Sequence, residues 1–481
     1  MMRCMYSGVS GLKVHQTKMD VIGNNIANVN TIGFKSSSVT FSDILYQTTS
    51  SASGPNAVTG AAGRNAKQIG LGSTVSAITS NITTSGGSQR TDKPFDLMIE
   101  NASDSFFIVS DGTQNYFTKA GSFTTDANGY LCTSSGQLVM GWQVDPDDET
   151  KTKADDVSAL QIMGADNLYA EPEATTNSYV SGNIDSNDTQ VAYGTSGRTV
   201  NVQFYDKLGQ LYTAEFSVVQ DEDATKTNYY TVKLSNVYNE DGSSVFVNKN
   251  TAADGTVTYA ASTITSFNVN GQSYSATVAD DGKVTFDDEG VSLRFNSSTG
   301  KFVGIGDTDG TKSMTFSLVS DGGPFTDVDI DFSTVTMFSS GGTSNLESTK
   351  GSLTGTGAGR ASGNLSGVSI DTEGLIYGTY DNGTSRLLGQ VVVASFANPS
   401  GLEAVGTGLY ATTQNSGDFD GIGKDITISG GKFDTGVVEM SNVDLATEFT
   451  EMITAQRGFQ ANSRTITTAD TLLEELINLK R

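Results

Sequence analysis

The chain has 481 residues, among them 54 glycines and 6 prolines, with a hydrophobic fraction of 36% and a formal net charge of −25. That length exceeds what one hydrophobic core organises, so two to four domains are expected. The acidity excludes nucleic acid and anionic membrane as partners, the two cysteines, Cys4 and Cys132, make neither a disulfide framework nor a metal set, and no apolar run reaches the length of a membrane span.

At the start of the chain, Met5, Val9, Leu12, Met19, Ile22, Ile26 and Val29 recur at spacings of 4, 3, 7, 3, 4 and 3. This is an apolar seam with a period near 3.5, and it predicts an amphipathic helix. Asn28, Asn30 and Gly33 are residues that end helices. "MMRCMYSGVSGLKVHQ" lacks the apolar run of a secretory signal, so the chain is expected to be cytoplasmic or exported without a cleaved signal. Residues 36–70, rich in Ser, Gly, Ala and Thr, read as an extended or loosely structured connector.

From Leu71 to Trp142 short apolar runs alternate with the turns "SDGT", "DANG" and "SSGQ", which predicts antiparallel strands. An acidic block follows. Residues 146–355 carry 30 acidic and 12 basic side chains, so −18 of the net charge lies there. Units such as "RTVNVQFYDKLGQLYTAEFSVVQ" predict an antiparallel sandwich or barrel, in one or two subdomains. A second β stretch runs from Leu365 to Thr413. The end of the chain repeats the helical seam with Leu445, Phe449, Met452, Phe459, Ile466, Ala469, Leu473 and Leu476.

The expected fold is therefore α+β and multidomain, with terminal helices paired as a coiled coil and antiparallel β-rich domains nested between them. The expected parts are a helical core (1–35 and 440–481), a connector (36–70), an inner β-domain (71–145 and 358–439) and an outer acidic block (146–357). Each narrow apolar stripe is poor at burying itself alone, so the helices are expected to pair with each other and then with further copies of the chain.

Catalytic constellations are missing. His15, the single histidine, has no partners at triad or metal spacing. "DVDIDF" sets Asp327, Asp329 and Asp331 on one strand face, as alternation alone would, and "GDTDG" and "DANG" lack the ligand spacing and closing Glu of a calcium loop. "GTGAGRASG" and "SGGKF" lack the order of phosphate-binding loops. No enzyme activity, cofactor or metal is expected. The polar face of the second helix is mostly small and uncharged, where an exposed helix ordinarily carries Lys and Glu. Gln456, Asn462, Ser463 and Thr467 are its candidates for the wall of a channel.

"YSGVSGLKVHQTKMDVIGNNIANVNTIGFK" (Tyr6 to Lys35) and "VEMSNVDLATEFTEMITAQRGFQANSRTITTADTLLEELINLKR" (Val438 to Arg481) resemble the two ends of bacterial flagellar axial proteins of the rod and hook group. "PFDLMIENASDSFFIVSDGTQNYFTKAGSFTTDANGYLCTSSGQLVMGW" looks like their shared first β-domain. Within the group the hook proteins are most similar, because a large block is inserted between the β halves; the distal rod protein carries little there. The middle block itself matches by position alone.

The resemblance implies a structural subunit that is not an enzyme. It implies export through the flagellar type III apparatus, assembly under a hook cap, and a homopolymer joined to the distal rod and to the hook–filament junction. The polymer it implies is a curved hollow tube that transmits motor torque as a flexible joint, with the connector contributing contacts between subunits. The alternatives are a distal rod or other axial protein and, from a different class, a secreted β-rich carbohydrate-binding or enzymatic protein.

Overall fold

In this computed structural model the described residues are 2–55, 60, 62–222, 226–251, 257–287, 289–306, 308–320 and 323–479. The first helix, α1, spans Met2–Ala27. Beyond it the Asn28 N–H still reaches back to the Asn24 carbonyl, and Gly33 then turns the chain at a φ of 68°, a conformation open to glycine. The second helix, α2, spans Leu445–Asn478. Asp444 caps it, accepting from the Ala446 N–H at 3.0 Å and the Thr447 hydroxyl at 2.8 Å, which together hold its carboxyl below the usual range.

Within 36–70 the described residues form strands that pair. β1 (Ser37–Asp43) and β2 (Tyr46–Ser50) form the outgoing strands, and β3 (Lys67–Gly70) and β4 (Ser73–Ser80) return. β1 pairs antiparallel with β4 from Ser37↔Ser80 to Asp43↔Ser73, with a register shift between Thr40 and Phe41; β2 pairs with β3. The Ser/Thr-rich composition that suggests a loose connector also suits a solvated two-stranded ribbon, because β-branched threonines tolerate the pleat.

The chain divides into two compact units: Met1–Leu168 with Ser366–Thr379 and Ser385–Arg481, and Tyr169–Leu365 with Tyr380–Thr384. The first unit contains both helices, the ribbon and a β-domain built from both halves of the chain. There Ser105–Ser110 pairs with Asn115–Thr118, with Leu138–Trp142 and with Val393–Ser395. Leu97–Glu100 pairs with Lys432–Thr435, and Ser88–Arg90 with Val437–Glu439. Phe107, Phe123, Val139, Val391 and Phe433 fill its core, with Phe107 stacked on Phe433 at 5.7 Å.

Among the described residues the second unit has two large sheets and a two-stranded ribbon, Val247–Thr251 with Val257–Ala261. Five antiparallel strands (Arg198–Tyr205, Leu211–Gln220, Tyr229–Asn239, Val291–Phe295, Phe302–Ile305) form one sheet. The other has seven strands and one parallel pair, Asn177–Asn183 with Val328–Thr336, where only antiparallel pairing was expected. Period-2 burial along Leu211–Gln220 drives Tyr212, Ala214, Phe216 and Val218 inward. Phe216 meets Phe316 of the facing sheet edge-on at 5.4 Å, within one shared core.

Candidate assembly site

α1 and α2 pack antiparallel, and small residues set the contact. A Cβ built on Gly11 would stand 2.6 Å from the Asn462 amide nitrogen, one on Gly458 2.5 Å from the His15 ring, and one on Gly8 3.0 Å from Ile466. Ala455 and Ala469 are the buried residues of α2. Glycine costs an isolated helix about 1 kcal/mol per site relative to alanine. Here that loss is the condition for close approach of the two backbones. Farther along, Lys18 pairs with Glu451 at 3.1 Å.

The helix pair is tied to the rest of its unit by polar hubs. Asn25, 1% exposed, donates to Glu448 of α2 at 2.9 Å and to the Ser37 carbonyl of β1 at 2.9 Å, and accepts from the Ser37 N–H at 3.0 Å. Burial pushes the Glu448 carboxyl upward, although the Asn25 amide opposes this. Asn442 accepts from the Ser36 N–H at 2.7 Å and donates to the Asn81 carbonyl at 2.9 Å. Lys35 and Glu439, with side chains 1% and 2% exposed, meet at 2.7 Å. Glu439 also accepts from the Gly86 N–H and Lys35 donates to the Thr84 carbonyl, both at 2.8 Å. A second buried lysine, Lys119, lies over the Phe106 ring and donates to the Ser103 carbonyl at 3.0 Å; burial lowers its pKa to about 8.

The apolar heptads lie beside this contact line. Ile22 is buried, and Met5, Leu12, Met19, Ile26, Val29, Met452, Phe459, Ile466 and Leu473 are half-buried. Val9, Leu445, Phe449 and Leu476 are exposed. Of these the structure brings Ile466 against Gly8 and buries Ile22 and Ala469; the remaining contact residues, Gly8, Gly11, His15, Asn25, Ala455 and Gly458, are ones that apolar periodicity does not pick out. The signal that reveals them is a heptad of small residues, with Ala455, Asn462 and Ala469 spaced by seven. Of the channel candidates, Gln456 and Thr467 are exposed and Ser463 half-buried, while Asn462 is half-buried over Gly11.

Around the helices the ribbon adds further open apolar side chains, including Ile44, Leu45, Tyr46 and Ile69. Asp329 and Asp331 are used locally, accepting from Thr315 and from the Ser333 N–H at 2.7 Å each. Among the described residues no group of three or more His, Cys, Asp or Glu is placed to hold a metal ion, and no helix is long and apolar enough to cross a membrane.

Residues 5–35 match the family described as "Flagella basal body rod protein", residues 102–175 the "Flagellar hook protein FlgE/F/G D1 domain", and residues 434–479 "Flagellar basal body rod FlgEFG protein C-terminal". The flagellar hook protein FlgE of Borreliella burgdorferi is 35% identical over 494 aligned residues, covering 100% of both chains. That of Treponema pallidum is 32% identical, again over 100% of both. A crystal structure of Helicobacter pylori flagellar hook protein FlgE2 superposes with a TM-score of 0.33 at 13% identity, covering 72% of this chain and 98% of that one. With full-length identity above 30% to two hook proteins and the rod and hook families matched at both ends, the chain belongs to the flagellar hook protein family and is a hook subunit.

Proposed function

We infer that this subunit polymerises into the curved, hollow tube of the hook, with its terminal helices as the inner layer, and that the tube acts as the joint passing torque from rod to filament. The observation that carries this reading is the exposed apolar stripe on a helix pair that is already formed: Val9, Leu445, Phe449, Ile453 and Leu476 remain open after α1 and α2 have met. Leu445, Phe449 and Ile453, spaced by four on α2, make one exposed apolar patch, and such a patch marks an interaction surface. A patch on paired terminal helices suits neighbouring copies arranged around an axis as a coiled-coil layer, with Gln456, Ser463 and Thr467, farther along α2, toward the bore; Asn462 packs on Gly11 of α1 instead.

The acidic unit suits the outside of such a tube. Like-charged surfaces do not lock, and polar contacts exchange readily with water, so outer contacts are free to slide as the tube bends. The partners in this reading are other copies of the chain, the distal rod and junction proteins at the two ends, the hook cap during growth, and the type III export apparatus, with the tube outside the cell. No catalytic role enters it. Electron microscopy of purified protein brought to polymerising conditions tests the reading. Curved hollow tubes are expected; straight tubes or no polymer would overturn the reading.

A further inference from the structure

The last two turns of α2 extend past the partner they have within the chain. Gly8 faces Ile466, Gly11 faces Asn462 and His15 faces Gly458. Continued at one residue for one residue, this register sets the start of α1 opposite residue 471 or 472. α2 nevertheless continues to Asn478. Leu472, Leu476 and Leu479 follow at helical spacing on one face, exposed by 48%, 48% and 82%, with Ile477 beside them at 68%.

The same unit carries an open groove of about 490 Å³ where α1 crosses the ribbon, lined by Tyr6, Val9, Lys13, Ile44, Leu71 and Val75 among others. It lies on the back of α1. Tyr6, Val9, Lys13 and Thr17 line it, whereas Gly8, Gly11, His15 and Lys18 face α2. At 3.6 residues per turn the two sets are centred roughly 175° apart around the helix. A chain cannot fill its own groove with its own helix end. Leu476 lies 11 or 12 residues beyond the α2 position opposite Val9, about 17 Å along the axis at 1.5 Å per residue, and on the other side of α1.

The charges match. Residues 1–18 hold Arg3, Lys13 and Lys18 and no acidic residue; residues 465–479 hold Asp470, Glu474 and Glu475 and are followed by Lys480 and Arg481. We propose that the final turns of α2, Leu472–Leu479, seat in the groove between α1 and the β1/β4 ribbon of a second copy, with Glu475 meeting Lys13 at its rim. The inference rests on the polymer reading and specifies its contact. Donor and acceptor are different surfaces of one chain, so the contact is head-to-tail and does not close on itself as a two-fold dimer does. Repetition of such a contact generates a helical array.

The test uses full-length protein in which Cys4→Ser and Cys132→Ser remove the native thiols, carrying Val9→Cys, Leu476→Cys or both, assembled and then oxidised with copper–phenanthroline. The double variant is expected to give a ladder of covalent multimers on a denaturing gel. Either single variant is expected to stay monomeric, and an equal mixture of the two to stop at dimers. Tubes that form without cross-links overturn the inference and leave the polymer reading intact, as does self-cross-linking of the Leu476→Cys variant, which would mean that helix ends meet one another. Failure of the unsubstituted chain to polymerise overturns both. If the cysteine variants do not assemble, charge reversal decides: Lys13→Glu is expected to raise the critical concentration about tenfold and Glu475→Lys to restore it, and absence of rescue overturns the contact.

Discussion

Gly458 shows how one missing methyl group sets the spacing of two helices. Gly458→Ala raises the intrinsic helix propensity of α2 by about 1 kcal/mol, yet the added carbon would stand 2.5 Å from the His15 ring. The expected outcome is unchanged or increased helix content in the free protein, by circular dichroism, together with assembly weakened by about 1–3 kcal/mol as the pair is forced apart. Equal loss of both would show that the close approach is not what matters. Glu439 makes a different kind of prediction. Its pairing with Lys35 is fully buried, so Glu439→Ala leaves a lysine uncompensated and should cost about 3–5 kcal/mol in denaturant unfolding of the first unit, while Lys35→Met with Glu439→Leu should recover most of it. Lys119 supplies a pH dependence. Its folded pKa is lowered by burial from 10.5 to about 8, so between these values the unfolded chain binds the extra proton. Stability of the first unit is expected to rise as pH rises from about 8 toward 10, and Lys119→Met to flatten that slope in thermal melts. None of these three roles is legible in the sequence. Lys35, Glu439 and Lys119 are far apart in the chain, and no local pattern distinguishes a buried lysine from an exposed one.

At the scale of elements, the helices were legible in extent and the contact between them was not. The 3.5-residue apolar period locates both amphipathic helices, because amphipathicity is a local property of the chain. It does not say which side meets the partner. The apolar heptad through Met5, Leu12, Met19 and Ile26 lies half-buried beside a contact made by Gly8, Gly11, His15 and Asn25. Small residues set the nearest approach, most of the larger apolar seam residues lie half-buried on its flanks, and Val14 and Ile22 are buried. The ribbon was legible only as an extended segment; its pairing depends on β4, which lies beyond the connector. Phe449→Asp tests the element-level claim. The substitution is expected to abolish polymerisation while leaving the β-domains folded, since Phe449 is exposed in the single chain. An unchanged critical concentration would remove the exposed stripe from the account.

At the scale of the molecule, nesting explains why the long helices stand at opposite ends of a β-rich sequence. Strands from both halves interleave in the first unit, Leu97–Glu100 with Lys432–Thr435 and Ser88–Arg90 with Val437–Glu439, and this brings α1 and α2 together. The strand content of the acidic block was visible in its alternation and turn spacing. The parallel pair within it was not, because strand direction is decided by pairing across about 150 residues of chain and not by any local signal. The central claim is that the terminal helices build the tube. The most direct test is electron microscopy of the full chain beside a variant lacking residues 2–27 and 445–479, whose β cores contain no helix residue. The account predicts hollow tubes from the full chain and folded monomers from the trimmed one; tubes of normal bore from the trimmed protein would contradict it.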